Sequence, residues 1–256
     1  MNKLKKVFAN GKAFIPFITA GDPTLEITRQ LVVEMAEAGA DLIELGVPFS
    51  DPVAEGPVIQ AADNRALSAG TTTDKIFVMV RRIRETCQVP IALMTYINPI
   101  FTYGTERFMK NCREADIAAV IVPDMPFEEK DEFKPFCLKY DMTLIPMIAP
   151  TSHNRIRMIA SEAEGFIYCV SSMGVTGVRQ EIGNSVPDMI KLVKEVKDIP
   201  CAIGFGISTP EQAAKMAAVA DGVIVGSAIV KIVEQYGSEC VPHVTEYVRR
   251  MIKAIK

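Results

Sequence analysis

The fold of this chain is decided by the stretch "FIPFITAGDPTLEITRQLVVEMAEAGADLIELGV", residues 14–47. It begins and ends with a short apolar run, and the residues between the runs follow a helical pattern. Ile27, Leu31 and Met35 recur on one helical face, and Gly39 is a typical residue just beyond a helix C-terminus. An apolar strand, an amphipathic helix and a second apolar strand predict a β–α–β unit, whose two strands are parallel.

The same unit recurs along the chain, because eight short apolar runs are separated by helical patterns. The runs are "FIPFIT" (14–19), "LIELGV" (42–47), "IALMTY" (91–96), "AAVIVP" (118–123), "TLIPMI" (143–148), "GFIYCV" (165–170), "CAIGFG" (201–206) and "GVIVGS" (222–227). Eight strand–helix repeats in 256 residues predict an α/β fold, a (β/α)8 TIM barrel. No linker divides the chain, so we expect a single domain over residues 1–256. An open doubly wound sheet is the alternative, but no G-x-G-x-x-G turn follows the first run.

Two connections are longer than the others, and both follow the carboxyl end of a run. The second run starts at residue 42 and the third at residue 91, and an extra helical pattern, "GPVIQAADNRALSAG", lies between them. The sixth run is followed by "SSMGVTGVRQEIGNS" (171–185), which is rich in Ser, Gly and Thr. We therefore predict extra helices and long loops after strands 2 and 6. Loops at these ends carry the chemistry in barrel enzymes.

A single carboxylate interrupts the second run. Alternation along a strand places Leu42, Glu44 and Gly46 on one face, which we expect to point into the barrel. Glu44 is the only Asp, Glu, Lys or Arg in the eight runs, so no strand provides a cation to pair with it. Burial should then raise the pKa of Glu44 and make it a usable general acid or base. The alternative is a structural Glu satisfied by backbone N–H groups or by an Arg from a loop.

A second carboxylate, Glu55, follows in the loop "DPVAEGP" (51–57). Its closeness to Glu44 in the chain is suggestive, although a Glu in a loop is usually solvated. Asp51 in the same loop is interpreted as a residue that stabilises a turn.

The seventh and eighth runs end in glycine-rich segments that predict a phosphate site. In "GFGISTPEQ" (204–212), Gly204 and Gly206 allow the backbone to approach a ligand, and a helix follows. Gly226 and Ser227 end the eighth run and could open a second helix. The N–H groups at such helix starts bind anions, and barrel enzymes commonly bind phosphate after strands 7 and 8. The alternative is that these glycines only form turns.

The composition excludes several classes of function. A formal net charge of −3 gives no footprint for nucleic acid or for a membrane surface, and no apolar run reaches the length of a membrane span. The six Cys residues form no C-x-x-C pair and only two His residues are present, so we expect no metal site. No secretory signal is visible, and we expect a cytoplasmic protein.

Seven motifs, in order, resemble the tryptophan synthase alpha subunit family. They are "FIPFITAGDP" (14–23), "ADLIELGVPFSDPVAEGPVIQAADNRAL" (40–67), "MTYINPI" (94–100), "PDMPFEE" (123–129), "GVTG" (174–177), "GFGIS" (204–208) and "GSAIVK" (226–231). The resemblance covers nearly the whole chain and implies a TIM barrel. It also implies cleavage of indole-3-glycerol phosphate to indole and glyceraldehyde 3-phosphate, without a cofactor. The indole would pass to a pyridoxal-phosphate beta subunit in an α2β2 complex.

The resemblance further implies roles for individual residues. Glu44 matches the catalytic glutamate, and Glu55, the second catalytic residue, stands where the family usually has aspartate. The positions around the indole ring are matched by Phe17, Tyr96, Ile148, Tyr168 and Phe205. The remaining substrate positions are matched by Thr176 and Gly177 after the sixth run and by Gly206, Gly226 and Ser227 at the phosphate, with Gly204 next to them. Asp124 and the segment 94–100 fall in regions that the family uses near the beta-subunit contact.

The implied reaction is a metal-free, retro-aldol-like cleavage. Glu44 would protonate indole C3 and then collect the hydroxyl proton, while Glu55 would relieve the positive charge at the ring nitrogen. Another phosphate-binding barrel, such as a phosphoribosyl isomerase or a sugar-phosphate epimerase, is a competing interpretation. A catalytically weak barrel that mainly binds and activates a beta-type partner is another.

Overall fold

The structure, a computed structural model, describes residues 3–150, 152–170, 186–204 and 206–256. The strands are Ala13–Thr19 (β1), Ile43–Gly46 (β2), Ile91–Met94 (β3), Ala119–Ile121 (β4), Thr143–Ile145 (β5), Met147–Ile148 (β6), Ile167–Val170 (β7), Cys201–Gly204 (β8) and Gly222–Val225 (β9). The helices are Lys3–Val7 (α1), Leu25–Glu37 (α2), Pro57–Ser68 (α3), Thr73–Arg84 (α4), Ile97–Tyr103 (α5), Thr105–Glu114 (α6), Lys130–Tyr140 (α7), His153–Glu162 (α8), Val186–Val196 (α9), Pro210–Ala217 (α10), Ser227–Tyr236 (α11) and Cys240–Ile255 (α12). Short 3₁₀ helices cover Phe127–Glu129 and Gly237–Glu239.

All strand pairs are parallel, and the sheet has the order β5-β4-β3-β2-β1-β9-β8-β7-β6. Its two terminal strands, β5 and β6, come from the predicted fifth run and are separated only by Pro146. Proline has no N–H to donate to a neighbouring strand, so the ladder is interrupted there. The carbonyl of Pro146 still accepts the Tyr168 N–H at 3.0 Å. The nine strands therefore correspond to the eight predicted runs, and the chain itself joins the two sheet ends, which confirms the TIM barrel.

The connection after β2 contains two helices, α3 and α4, which confirms the extra helix predicted there. A further pair, α5 and α6, lies between β3 and β4 and is separated at Gly104, whose φ of +91° favours glycine. The long segment after the sixth run, 171–185, lies outside the described residues, so that part of the prediction is not tested. None of the helices in the described part of the chain is long and apolar enough to cross a membrane.

The apolar residues form two layers. The inner cluster fills the barrel and includes Leu42, Ala92 and Ile121. The outer cluster lies between strands and helices and includes Ile43 and Leu45. The alternation predicted for the second strand is therefore confirmed: even-numbered residues of β2 face inward and odd-numbered residues face the helices.

Candidate active site

A cavity of about 550 Å³ opens at the carboxyl ends of the strands. This volume lies within the range of small-molecule sites. Seven residues of the predicted site line it: Phe17, Glu44, Glu55, Tyr168, Gly206, Gly226 and Ser227. The barrel has thus brought together the two predicted carboxylates and the predicted phosphate end.

Glu44 lies at the bottom of this cavity with only 1% of its surface exposed. Its strand neighbours in register are Phe17 on β1 and Ala92 on β3, neither of which can pair with a charge. Both carboxylate oxygens lack a hydrogen-bond partner among the described residues. Burial, with a smaller contribution from the negative charge of Glu55, raises the pKa of Glu44 well above its ordinary value. Burial therefore favours the protonated form of this carboxyl, which lines a cavity that a substrate could enter.

Glu55 is half-buried in the loop between β2 and α3. The Tyr96 hydroxyl donates a hydrogen bond to Glu55 Oε1 at 3.3 Å and accepts one from the Ala54 N–H at 3.2 Å. On the other side of the loop, the Gln60 side chain donates to the Glu55 carbonyl at 2.7 Å. Burial raises the pKa of Glu55, while the Tyr96 hydrogen bond opposes that rise. The loop places Glu55 against the cavity, away from the bulk solvent expected for a typical loop glutamate.

Two glycines make room for the Phe17 ring on the cavity wall. A Cβ at Gly46 would come within 2.7 Å of Phe17 Cζ, and a Cβ at Gly226 within 3.2 Å of Phe17 Cδ1. Gly204 does the same for Tyr168, since a Cβ there would come within 2.5 Å of the Tyr168 hydroxyl oxygen. These glycines therefore allow two aromatic rings to lie beside the carboxylates, although Gly204 itself does not line the cavity.

The two predicted phosphate segments differ in their free N–H groups. At α10, Thr209 and Gln212 form a capping box, and Gln212 Oε1 accepts the Ser208 N–H at 2.8 Å. At α11, the N-cap residue is Gly226, which has no side chain that could cap the first N–H groups of the helix. The N–H groups at the start of α11 are therefore uncapped by a side chain among the described residues, and Gly206, with φ +76°, lines the same cavity; the phosphate site stays a prediction.

The comparisons with known proteins agree with this geometry. A family model described as tryptophan synthase alpha chain matches residues 2–256. The chain belongs to the tryptophan synthase alpha chain family. It is 48% identical to the tryptophan synthase alpha chain of Lacticaseibacillus casei, over 100% of this chain and 97% of that one. It is 49% identical to that of Geobacter sulfurreducens, over 95% and 93% of the two chains.

Solved structures of the family have the same fold. The tryptophan synthase alpha chain of Legionella pneumophila has a TM-score of 0.88 at 36% identity, with 100% of this chain and 97% of that chain covered. A structure described as the tryptophan synthase a2b2 complex from Pyrococcus furiosus has a TM-score of 0.86 at 33% identity, with 95% and 98% covered.

One predicted indole contact of the alpha chain is placed differently. Ile148 is buried in the outer layer, between strands and helices, whereas Met147 lines the cavity. Met147 is thus the residue of β6 that lines the cavity, and the contact of Ile148 with the indole ring, implied by the resemblance, stays a prediction. Phe205, Thr176 and Gly177 lie outside the described residues, so their predicted roles stay predictions.

Three further predicted residues have positions that the structure describes. Tyr96 is buried and contacts Glu55 as described above, but it is not among the residues that line the cavity. Asp124 accepts the Ile97 N–H at 3.0 Å, which satisfies the first free N–H of α5. Asp51 lies in an exposed loop and accepts a hydrogen bond from the Ser50 hydroxyl at 2.5 Å, as is typical of a turn residue.

Several residues that line the cavity have no role predicted from the sequence, among them Met147, Lys231 and Tyr247. Lys231 could have been found, because it lies one helical turn after Ser227 on the same helix face as the anion site. Tyr247 belongs to α12, and its hydroxyl donates to the Ser208 carbonyl at 2.9 Å. No sequence pattern indicates that contact, which depends on the packing of the last helix.

Proposed function

We propose that this chain cleaves indole-3-glycerol phosphate to indole and glyceraldehyde 3-phosphate, as the alpha reaction of tryptophan synthase. The observation that carries the proposal is the buried carboxyl of Glu44, which has no hydrogen-bond partner in the described part of the chain and lies in a cavity with Glu55 and the start of α11. Membership of the family supports the same assignment.

In the proposed reaction, Glu44 is the general acid. Burial raises the pKa of Glu44 and so favours the protonated carboxyl, which transfers its proton to indole C3. The bond between C3 and the glycerol carbon then breaks as the neighbouring hydroxyl loses its proton. Glu44 takes up that proton, so the carboxyl returns to its starting state and no metal or covalent intermediate is required.

Glu55 is proposed to act on the indole N–H. Protonation of C3 leaves positive charge on the ring nitrogen, and a carboxylate next to it stabilises that charge. The Tyr96 hydroxyl stabilises the charged form of Glu55 and fixes its position. Phe17 and Tyr168 would contact the ring, and the start of α11 with Lys231 would bind the phosphate.

We also propose that the chain works with a beta subunit. The Pyrococcus furiosus relative is described as part of an a2b2 complex with mutual activation. In this chain, Val53 in the Glu55 loop is 80% exposed and Phe101 on α5 is 54% exposed, close in the chain to the segment 94–100. A partner that covers these apolar side chains would also restrict the loop of Glu55.

We place this reaction in the cytoplasm, a proposal supported by the scattered free cysteines.

The experiment is an assay of indole release from indole-3-glycerol phosphate, with and without a tryptophan synthase beta chain. Release by the isolated chain, increased by the partner, is the expected result. No release in either condition would contradict the proposal and favour a barrel that only activates its partner. Conversion of a phosphoribosyl or sugar-phosphate substrate instead would favour a different phosphate-binding barrel.

A further inference from the structure

Tyr247, on the last helix, joins that helix to the wall of the cavity. Its side chain lines the cavity, and only 8% of its surface is exposed. Its hydroxyl donates a hydrogen bond to the Ser208 carbonyl at 2.9 Å. Ser208 lies 39 residues earlier in the chain, between β8 and α10. The bond therefore connects the C-terminal helix to a loop at the carboxyl end of a strand.

The loop that accepts this bond, residues 206–208, faces the cavity. Gly206, Ile207 and Ser208 all line it. Gly206 has a φ of +76°, and no atom of the described residues, apart from its chain neighbours, lies within 4 Å of the position that a Cβ would occupy. The backbone at Gly206 is thus open to a ligand, but glycine also has more conformational freedom than any other residue. Its position therefore depends on the contacts that hold the residues next to it.

On the α10 side, the loop is held by Gln212. The side-chain oxygen of Gln212 accepts the Ser208 N–H at 2.8 Å, the Ser208 hydroxyl at 3.1 Å and the Thr209 N–H at 3.2 Å. These bonds tie the loop to the first turn of α10, so they would follow any displacement of that turn. Tyr247 provides a bond from a separate element and can fix the loop relative to the rest of the barrel.

The helix that carries Tyr247 is a firm support. It packs against α2, α10 and α11, and Val244 and Val248 on its inner face are completely buried. Burial raises the pKa of Tyr247 to about 12, although the charge of Arg250 opposes the rise. The hydroxyl therefore keeps its proton near neutral pH and remains a donor to the loop.

We propose that Tyr247 is a positioning residue for the phosphate group of the substrate: its hydroxyl fixes the Ser208 carbonyl and thereby the loop 206–208, which lines the same cavity as the start of α11. This inference deepens the proposed function and rests on it for the identity of the substrate. The hydrogen bond and its effect on binding of a phosphate monoester are properties of the folded chain, and they can be measured without cleavage of indole-3-glycerol phosphate.

The kinetic test is Tyr247→Phe, which keeps the ring and removes only the hydroxyl. Contacts to a group that does not react bind substrate and transition state equally, so a displaced loop should change KM more than kcat. We expect KM for indole-3-glycerol phosphate to rise about 3- to 10-fold, the size of one lost hydrogen bond, with kcat within about twofold. A general loss of stability would not separate KM from kcat in this way.

The matched control is Tyr140→Phe. The Tyr140 hydroxyl also donates one hydrogen bond, to Glu106 at 3.0 Å, but it lies at the end of α7, just before β5 and at the opposite end of the barrel from the cavity. This variant should keep both KM and kcat within about twofold of wild type, because the bond it loses is remote from the substrate. Wild-type KM in Tyr247→Phe, or an equal rise of KM in Tyr140→Phe, would overturn the proposal.

The test without turnover uses glycerol 3-phosphate, a phosphate monoester that resembles the phosphate end of the substrate, in calorimetric titrations together with amide hydrogen exchange. The Kd of glycerol 3-phosphate should rise about 3- to 10-fold in Tyr247→Phe. The amides of Ser208 and Thr209 should exchange at least about threefold faster, whereas the Val248 amide should keep its rate.

The outcomes separate this inference from the proposed function. A chain that releases no indole but shows both the higher Kd and the faster exchange would contradict the proposed function and leave the role of Tyr247 intact. No binding of glycerol 3-phosphate to the wild type, or an unchanged Kd in Tyr247→Phe, would refute that role.

Discussion

Glu44 gives the clearest relation between a residue and its predicted chemistry. Its inward orientation follows from strand alternation, and its lack of a partner follows from the absence of other charges in the strand runs, so both could be predicted. The Tyr96–Glu55 hydrogen bond could not, because it joins residues on different elements and depends on loop conformation.

The first residue-scale prediction concerns pH and stability in Glu44→Gln. Burial raises the pKa of Glu44 in the folded state above its ordinary value of 4.5, so its contribution to stability is present below pH 4.5 and is lost as the pH rises through the folded pKa. Gln cannot ionise and avoids this loss. Relative to wild type, Tm of the variant should rise by at least about 2 °C between pH 5 and pH 9, roughly 1 kcal/mol for a chain of this size. A constant Tm difference would contradict a raised pKa.

The second residue-scale prediction concerns the length of the Glu55 side chain. Glu55→Asp moves the carboxylate away from the Tyr96 hydroxyl, so we expect kcat to fall about 10-fold or more although the family usually carries aspartate here. Tyr96→Phe should cause a similar loss. The double variant should be little worse than either single variant, because both remove one interaction. A gain of rate in Glu55→Asp would show that the loop is not adapted to glutamate.

At the scale of elements, strands could be predicted from their apolar runs and helices from their start signals. The N-cap Thr24 before α2 and Pro57 at the first position of α3 are two such signals. The break of the fifth run at Pro146 has a sequence signal, yet its consequence for Ile148 depends on where the strand resumes. The two glycine-rich segments look alike in sequence and differ in the structure, because Gln212 caps α10 while α11 remains open.

Lys231→Ala tests the phosphate end of the cavity. The phosphate does not react, so its contacts bind substrate and transition state equally, and their loss changes KM more than kcat. We expect KM for indole-3-glycerol phosphate to rise about 5- to 10-fold with kcat within about twofold. The control is Lys215→Ala, on the exposed surface of α10, which should leave both constants unchanged. An unchanged KM in Lys231→Ala would place the phosphate elsewhere.

At the scale of the whole molecule, repetition made the barrel predictable: eight similar runs have few ways to form a parallel sheet covered by helices. Partner surfaces leave no such repeat in a sequence. Exposed apolar residues mark a candidate only after folding, when Val53 and Phe101 are found on the connections that follow neighbouring strands, β2 and β3.

Phe101→Glu tests the proposed partner surface. A charge on this exposed side chain should weaken binding of a tryptophan synthase beta chain and reduce its stimulation of indole release at least about 10-fold, while release by the isolated chain stays within about twofold. Val78→Glu, on the exposed face of α4, is the matched control and should keep the stimulation. Equal stimulation in both variants would exclude Phe101 from the interface.

The central claim is that the buried carboxyl of Glu44, which no described residue pairs with, carries the proton. The most direct measurement is the rate of indole release by the folded Glu44→Gln variant at saturating indole-3-glycerol phosphate. General acid–base catalysis contributes about 10²- to 10⁴-fold, so we predict a loss of that size. A variant that folds, binds the substrate and turns over within about threefold of wild type would contradict the claim.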